Sequence, residues 1–315
     1  MIGVLRPHAR RVARRLRVEP AYDRGLAFAR RLTERRRDLA WRRLVGDVLT
    51  NGIVVPTSGA WARPGDPRAQ IVVCLWNRPQ RLEAVLDMLD GQDWPAGARL
   101  MLWNNNPDDR DHYDRVLAAR ALGDGCLASV DIHHSEDNLG GLARFVVARL
   151  ARNGGYDGPV IMLDDDQDVS PTFVSDLARD YAPRSVVAWW AFGLHGSYWR
   201  RAELPPGATA DHAGTGGTVY DSALVDDDRF FAALPRKYAF LEDQWMTFMA
   251  RLAGWRVVKA DTAISLVLEE SNQYHALKPL KDEFYQYQLA RGSRIVGAAR
   301  RRTPSWKEGR ITGSR

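Results

Sequence analysis

The chain has 315 residues, 45% of them hydrophobic, with 11 Trp and a net charge of +6. This composition excludes a disordered polypeptide and predicts a globular protein with room for one large α/β domain and an appendage. The two cysteines, Cys74 and Cys126, argue against a disulfide framework and favour a reducing, cytoplasmic location. The longest apolar stretches are too short to span a bilayer, and arginines from Arg6 onward interrupt any signal-peptide core.

The positive charge is concentrated at the N-terminus. Residues 1–46 carry 14 arginines and four acidic residues, a net charge of +10 that leaves −4 for the other 269 residues. Apolar residues recur there at three- and four-residue steps, which predicts helices from Arg6 to about Leu49, divided at Pro20. We therefore assign residues 1–49 to a basic helical arm.

The arginines of this arm suit an anionic membrane surface, where each basic residue contributes about 1 kcal/mol to binding. The protein would then be a peripheral membrane protein. Packing of the arm on the domain or on a second subunit explains the same pattern equally well. Nucleic acid would also attract the charge, but the sequence carries no nucleic-acid-binding signature, and we expect no such partner.

A segment rich in Pro and Gly, residues 50–68, follows the arm and predicts a linker or an irregular strand. We assign a domain to residues 69–285 and a basic C-terminal tail to residues 286–315. Apolar runs alternate with amphipathic segments in the domain, which predicts an α/β sheet with ligands at the carboxyl ends of its strands. The predicted strands are Ile71–Leu75, Leu100–Trp103, Ser129–Ile132, Val160–Leu163, Val186–Phe192 and Arg256–Lys259, and the predicted helices include Asn138–Leu150 and Gln244–Ala253.

Four carboxylates follow the apolar strand Val160–Leu163 within five positions. They are Asp164, Asp165, Asp166 and Asp168. Such a cluster is unfavourable unless a cation balances it, and hard oxygen ligands suit Mg²⁺ or Mn²⁺. The alternative is a capped turn with exposed acidic side chains. The position directly after a buried strand favours the metal site.

An ordered set of motifs in this sequence resembles that of GT-A glycosyltransferases. The motifs are Asn77-Arg-Pro79, Leu102-Trp-Asn-Asn-Asn-Pro107, Asn138-Leu-Gly-Gly-Leu-Ala-Arg144, Leu163-Asp-Asp-Asp166, Gly214-Thr-Gly-Gly-Thr218 and Leu241-Glu-Asp243, followed by His275. The resemblance extends over about residues 70 to 280. It is to the large inverting family that uses nucleotide sugars, and the Trp-Asn-Asn stretch is also similar to retaining exostosin-like transferases.

This resemblance implies a Rossmann-like mixed sheet flanked by helices and a transferase that moves a hexosyl or pentosyl group from a nucleoside diphosphate sugar. The implied donor-binding residues are Asn77, Arg78, Asn104, Asn138, Gly141, Arg144, Asp164, Asp165 and Lys278. Asn104 stands where many relatives carry an Asp that recognises uracil, and UDP is our first choice of nucleotide. For Asn138 and the Gly140-Gly141 pair, a helix N-cap with a flexible first turn is an equal alternative.

The resemblance further implies that Asp166, in the Asp-x-Asp motif, and His275 bind Mn²⁺ or Mg²⁺. A shifted frame with Asp166 and Asp168 as the pair stays open. Asp164 would accept hydrogen bonds from the donor ribose, Asp165 would lie behind the metal ligands, and Lys278 would reach the diphosphate.

On the acceptor side, the resemblance assigns the general base to Asp243, with Glu242 holding the acceptor or a metal-bound water. Both acids also suit an ordinary helix N-terminus. Gly216, Gly217 and Thr218 form the expected acceptor-side turn. A base opposite the leaving group predicts inversion at the anomeric carbon.

Two other functions fit parts of the pattern. Asp166-Gln-Asp-Val169 resembles the nucleophile motif of haloacid-dehalogenase-like phosphatases, which occurs on the first strand of their domain. A non-catalytic module that binds sugar nucleotides is the other, although it would be expected to lack a carboxylate. The acceptor, whether a glycan, a lipid-linked or a small molecule, depends on the pocket formed by Trp189 to Tyr220, where aromatic side chains suit sugar rings as well as a core.

Overall fold

The computed structural model describes residues 19–55, 60–267, 274–299 and 310–313. The chain divides into two compact units, Met1–Leu44 and Val45–Arg315. Helix α1, Glu19–Asn51, carries the basic pattern of the predicted arm, and Pro20 lies in its first turn, where proline is tolerated. The helix predicted before Pro20 lies outside the described residues. No described helix is both long and apolar enough to cross a membrane.

The strands and helices of the second unit alternate along the chain. The strands are β1 (Ile53–Val55), β2 (Ala69–Leu75), β3 (Ala98–Asn104), β4 (Leu127–His134), β5 (Pro159–Asp164), β6 (Gln167–Val169), β7 (Ser185–Ala188), β8 (Ala191–Leu194), β9 (Arg201–Ala202), β10 (His212–Ala213), β11 (Thr218–Asp221), β12 (Arg256–Lys259), β13 (Ile264–Leu266) and β14 (Ile311–Gly313). The helices are α2 (Leu82–Asp90), α3 (Arg110–Ala119), α4 (Leu142–Asn153), α5 (Phe173–Asp180), α6 (Arg229–Ala232), α7 (Glu242–Leu252) and α8 (Tyr274–Ala299).

A seven-stranded sheet in the order β12-β7-β11-β5-β2-β3-β4 lies at the centre of this unit. Strand β11 is antiparallel to both neighbours, and all other neighbouring pairs are parallel. Helices cover both faces, which is why β2 is buried along six of its seven residues and reads as a continuous apolar run. The predicted α/β fold, a mixed sheet flanked by helices, is confirmed.

One predicted strand is two strands in the structure. The apolar run Val186–Phe192 is divided into β7 and β8 at Trp189 and Trp190. Strand β7 belongs to the main sheet, whereas β8 pairs with β9 and β10 in a separate three-stranded sheet. The N–H of Trp189 donates to the Gly217 carbonyl at 2.9 Å, and the N–H of Ala191 donates to the Trp189 carbonyl at 3.2 Å. This bend leaves the two Trp side chains facing outward from the end of the sheet.

The segments predicted as linker and tail both contain structure. Strand β1 lies in the predicted linker and pairs in parallel with β14, near the end of the predicted tail. Residues 286–299 are the last part of α8. After β1, the N–H of Trp61 donates to Asp131 Oδ2 at 3.0 Å, which holds this segment against β4. The domain boundaries themselves stay a prediction.

A hydrophobic core fills the space between β2, β3 and β5 and the helices α2 and α5. Leu163 is fully buried in it, at the last apolar position of β5 before the acidic loop. The acidic loop is therefore anchored directly to the core.

Replacing Leu163 by Ala should lower the free energy of unfolding by about 2–5 kcal/mol, because the cavity left behind collapses only partly. Leu122→Ala is the matched control, since Leu122 is 41% exposed. Its effect should stay within about 0.5 kcal/mol. Chemical denaturation of the two variants measures both values, and equal losses would contradict a packed core at Leu163.

Candidate active site

A cavity at the carboxyl ends of β2 and β5 brings most of the predicted site residues together. Strands β3 and β4 lie on one side of β2 and β5 lies on the other, so the chain order reverses between β2 and β5. Such a reversal opens a crevice beyond the strand ends. The cavity has a volume of about 530 Å³. The predicted residues that line it are Asn77, Arg78, Asn138, Gly141, Arg144, Asp164, Asp165, Asp166, Gly216, Glu242 and Asp243.

Asn104 stands apart from this cavity. It is fully buried, its Nδ2 lies 3.0 Å from His134 Nδ1, and its Oδ1 accepts the N–H of Asn106 at 2.9 Å. The next residue, Asn105, lines the cavity instead. Side chains alternate along a strand, so a shift by one residue moves the polar group to the other side.

Of the other predicted residues whose side chains the structure describes, Gly217, Thr218 and Lys278 do not line the cavity. Gly217 and Thr218 follow Gly216 into β11. Lys278 belongs to α8, and Lys281, one turn later in the same helix, is the residue that lines the cavity. His275 is the second residue of α8, and its side chain lies outside the described part of the chain.

Arg78 holds the acidic loop after β5 against the end of β2. Its Nη1 donates to Asp165 Oδ1 at 2.8 Å, and its Nη2 lies 3.2 Å from Asp166 Oδ2. Asp165 Oδ2 also accepts the backbone N–H of Trp76 at 3.1 Å. Burial raises the pKa of Asp165 to about 6, against the opposing effect of the Arg78 charge. Asp165 thus serves to join the two strand ends.

Asp168 has a different environment from the three aspartates before it. Its side chain is 54% exposed, pairs with Arg81 at 2.5 Å and does not line the cavity. Asp168 lies in β6, which pairs with β13. The geometry therefore favours Asp164 and Asp166 over the shifted frame as the pair that faces one ligand.

Arg144 is a buried cation at the centre of the cavity wall. Its Nη2 pairs with Asp164 Oδ1, whereas its Nε and Nη1 are buried without a hydrogen-bond partner. Burial would lower the pKa of Arg144, but the carboxylates of Asp164 and Glu242 and the neighbouring thiol of Cys74 raise it above its usual value. The guanidinium is therefore charged, and two of its buried nitrogens have donor capacity that none of the described residues uses.

Two glycines make room for the acidic side chains. A Cβ at Gly216 would clash with Asp164 Oδ2 and with the Gln167 amide, and a Cβ at Gly141 would clash with Glu242 Oε1. Any larger residue at either position would displace a carboxylate. The lack of a side chain at Gly141 thus leaves room for the Glu242 carboxyl group.

Asn138 shapes the turn before α4. Its Oδ1 accepts the N–H of Gly140 at 2.7 Å, and Gly140 has a φ of +57°. Helix α4 begins later than predicted, at Leu142, with Gly141 at its N-cap. The helix-cap interpretation of Asn138 is therefore wrong. Its side chain accepts a hydrogen bond within the turn before α4, and Gly141 occupies the N-cap position.

Glu242 and Asp243 begin α7 and line the same cavity, and their environments differ. Burial and the Asp243 charge raise the pKa of Glu242 to about 7, while Thr215 Oγ1 donates to its Oε1 at 3.4 Å. Burial would also raise the pKa of Asp243, but Lys281 and His212 hold it well below its usual value. Asp243 is thus ionised at neutral pH, whereas Glu242 is close to the midpoint of its titration.

Lys281 and His212 are two functional residues absent from the sequence prediction. Lys281 Nζ lies 3.8 Å and His212 Nε2 lies 3.5 Å from Asp243 Oδ2. The His212 ring also stacks on Phe192 at 4.9 Å. Lys281 follows the predicted Lys278 by one helical turn, a signal that a helix prediction for this segment would have supplied. His212 precedes the glycine turn and belongs to no recognised motif.

The residues present fit a divalent metal bound together with a diphosphate. Among the described residues no cluster of three or more His, Cys, Asp or Glu could hold a metal ion alone. Mg²⁺ is commonly bound by one or two carboxylates plus substrate phosphates and waters, and Asp164 and Asp166 supply two. Burial and the Asp164 charge raise the pKa of Asp166, a repulsion that a cation would relieve. The titratable lining residues among those described are five carboxyl groups and three cationic side chains.

Comparisons with known proteins find likeness in structure. No family model matches the chain, and no curated protein matches its sequence. S. aureus TarS is similar at 16% identity and a TM-score of 0.42, over 67% of this chain and 38% of that chain. The mannosyltransferase PcManGT from Pyrobaculum calidifontis, in complex with GDP-Man and Mn²⁺, is similar at 13% identity and a TM-score of 0.45, over 80% and 70%. These likenesses concern the fold alone.

Replacing Glu242 by Gln should stabilise the protein at alkaline pH. The folded state raises the pKa of Glu242 from 4.5 to about 7, so the folded form binds this proton more tightly than the unfolded form. Stability from this group is present below pH 4.5 and is lost as the pH rises through 7. The neutral Gln avoids that loss, which amounts to about 3 kcal/mol at most.

Chemical denaturation at pH 4.5 and pH 8 measures the difference. We expect Glu242→Gln to exceed the wild type at pH 8 and to match it at pH 4.5. The control is Glu83→Gln, at an exposed position of α2, with little effect at either pH. Equal stability of Glu242→Gln and wild type at pH 8 would contradict a buried carboxylate with a raised pKa.

Proposed function

We propose that this protein is a glycosyltransferase that moves a hexosyl or pentosyl group from a nucleoside diphosphate sugar to an acceptor hydroxyl, with Mn²⁺ or Mg²⁺ and with inversion. One observation carries the proposal: a single cavity is lined by aspartates and buried arginines, which we call the first wall, and by the pair Glu242 and Asp243, which we call the second wall. Breaking a bond between sugar and phosphate requires charge stabilisation at the leaving group and a separate base at the nucleophile.

The first wall suits the nucleotide and diphosphate. The Nε and Nη1 atoms of Arg144 are donors without partners among the described residues, and they point in different directions, so two anionic phosphate oxygens would satisfy them. Asn105 and Asn138 lie at the same strand edge, where the sequence assigned the nucleotide contact to Asn104. UDP remains our first choice, and Asn105 takes the base-contacting role in this proposal.

Asp166 and His275 would hold the metal, as the resemblance implies, and we add Asp164, which the resemblance assigns to the donor ribose, as a second carboxylate for the ion. When bound, the ion supplies neutralisation of the charge that develops on the diphosphate leaving group. Arg78 orients the acidic loop through Asp165 and Asp166. The protein's part is to orient these carboxylates, with Asp164 paired to Arg144 and Asp166 beside Arg78.

The second wall suits the acceptor hydroxyl. Asp243 is ionised through neutral pH and accepts the hydroxyl proton late, when bond formation at the sugar has made that proton acidic. Lys281 and His212 keep its carboxylate in place. Glu242 carries a proton up to about pH 7 and donates a hydrogen bond to the acceptor in that form. We keep the inversion that the resemblance implies, with the retaining transferases as the alternative.

The phosphatase alternative is less consistent with the site. Its nucleophile motif belongs on the first strand of a domain, whereas Asp164 ends β5, the fourth strand of the main sheet along the chain. Asp168, the second acid of that motif, does not line the cavity. Cytoplasmic location and contact of residues 1–49 with an anionic membrane, which would suit a lipid-linked acceptor, remain predictions.

Nucleotide binding tests the donor wall. UDP, GDP, dTDP and CMP are each added with Mn²⁺, Mg²⁺ or a chelator, and the Tm of the full chain is measured. We expect one diphosphate nucleotide to raise Tm by several degrees only with metal, because a ligand at 100 times its Kd contributes about 2.7 kcal/mol. Asp166→Asn should lose this shift, and the matched control Asp168→Asn should keep it.

A Tm shift lost in both Asp166→Asn and Asp168→Asn would favour the shifted frame, with Asp166 and Asp168 as the pair. The absence of a shift with every nucleotide would count against the donor site and favour the phosphatase or the non-catalytic module.

Replacing Asp243 by Asn should lower kcat for transfer by about 10²–10⁴, because the base is lost while the donor wall is intact. The nucleotide-induced rise in Tm should persist. Asp211→Asn is the control, since Asp211 is 41% exposed and pairs with Arg251 outside this cavity. A variant at Asp243 that transfers sugar at the wild-type rate would exclude this residue as the base.

A further inference from the structure

Trp190 is a large aromatic side chain exposed within the cavity. It is 40% exposed, whereas Trp103 and Trp245 are fully buried in the core. It lines the same cavity as Glu242 and Asp243. An aromatic ring left open to solvent in a cleft, next to polar groups, marks a surface that a ligand covers.

The Trp190 ring is fixed in place before any ligand binds. The N–H of Gly214 donates to the Trp190 carbonyl at 2.7 Å, and a Cβ at Gly214 would come within 3.1 Å of the Trp190 side chain. Trp189 and Phe192 lie beside the ring at centroid distances of 5.4 and 5.8 Å. Because the ring is already ordered, binding costs little side-chain entropy.

Arg201 supports this wall from behind. Its guanidinium lies over the rings of Phe192 at 4.3 Å and Tyr198 at 4.5 Å, and 6.0 Å from the Trp190 ring centre. Its Nε donates to the Tyr198 carbonyl at 3.2 Å. The aromatic wall is thus held together by cation–π contacts.

A line of ring contacts connects Trp190 to the candidate base. Phe192 touches Trp190 edge-on and stacks on His212, whose Nε2 lies 3.5 Å from Asp243 Oδ2. Trp190 is therefore linked through Phe192 and His212 to the surroundings of Asp243. A molecule stacked on Trp190 lies in the cavity that Asp243 also lines.

We propose that Trp190 is the platform on which a sugar ring of the acceptor stacks, so that the acceptor is a saccharide. This inference rests on the proposed glycosyltransferase function. A pyranose ring has a face of C–H groups that fits the electron-rich face of an indole, and its rim of hydroxyls stays available for hydrogen bonds. Thr215, Glu242 and Asp243 in the same cavity supply such partners. An aliphatic chain there would leave these polar groups unsatisfied.

The test compares Trp190→Ala with Trp199→Ala in the full chain. Trp199 is the matched control, because it is 44% exposed and 5.3 Å from the Arg201 guanidinium but does not line the cavity. The acceptors are the methyl glycosides of glucose, galactose, mannose and N-acetylglucosamine, with glycerol as an acceptor that lacks a ring. Hydrolysis of the donor by water and the nucleotide-induced rise in Tm report on the donor wall.

We expect Trp190→Ala to raise KM for the preferred glycoside at least tenfold while donor hydrolysis and the rise in Tm stay within twofold of wild type. Trp190→Phe should recover most of the affinity, and Trp199→Ala should behave as wild type. Transfer to glycerol should be weak and equal in all variants.

Four results would overturn the inference. They are an unchanged KM in Trp190→Ala, an equal rise in Trp199→Ala, a loss of the nucleotide-induced Tm shift in Trp190→Ala, which would place the nucleotide base on Trp190, and a wild type that hydrolyses a donor but transfers to none of the glycosides. A wild type that neither binds nor hydrolyses any nucleoside diphosphate sugar would instead overturn the proposed function, and the inference with it.

Discussion

The burial of opposite charges at the junction of β2 and β5 is the constraint on which the site depends. Removing a carboxylate or a guanidinium from water is costly unless a partner of opposite charge lies beside it. Arg78 and Arg144 provide those partners for the acidic loop, and the backbone N–H of Trp76 adds a further bond to Asp165. The strand ends, the first turn of α4 and the glycine turn before β11 must all meet for this balance to hold.

The charged groups of the cavity do not fully balance one another, and this imbalance is the basis for ligand binding. Two nitrogens of Arg144 have no protein partner, while the carboxylates of the described lining residues outnumber the cations. A site with both features binds an anion and a cation together more favourably than either one alone. A metal complex of a diphosphate, the ligand that we propose, has that composition, and neither part of it would need a complete cage made by the protein.

Much of this could be predicted from local sequence. A continuous apolar run followed by acids predicts the end of a buried parallel strand, so the edge at Asp164 was placed correctly. The misplacements have local causes. An apolar run does not reveal a bend, which is why Val186–Phe192 was taken as one strand. The choice between Asn104 and Asn105 depends on which side of the strand each faces, and the choice between Lys278 and Lys281 depends on helix phase.

The contacts of Asp243 could not be predicted locally, because His212 and Lys281 come from distant segments that the fold brings together. Pairing between β1 and β14 is likewise long-range, and it has a mechanical consequence. The two strands run in parallel, one near each end of the second unit, so tension between those ends would shear them along their length. Sheared strands share the load across all their hydrogen bonds at once, rather than breaking them one by one. This short ladder is therefore the first element to resist an enzyme that unfolds the protein by pulling on its ends.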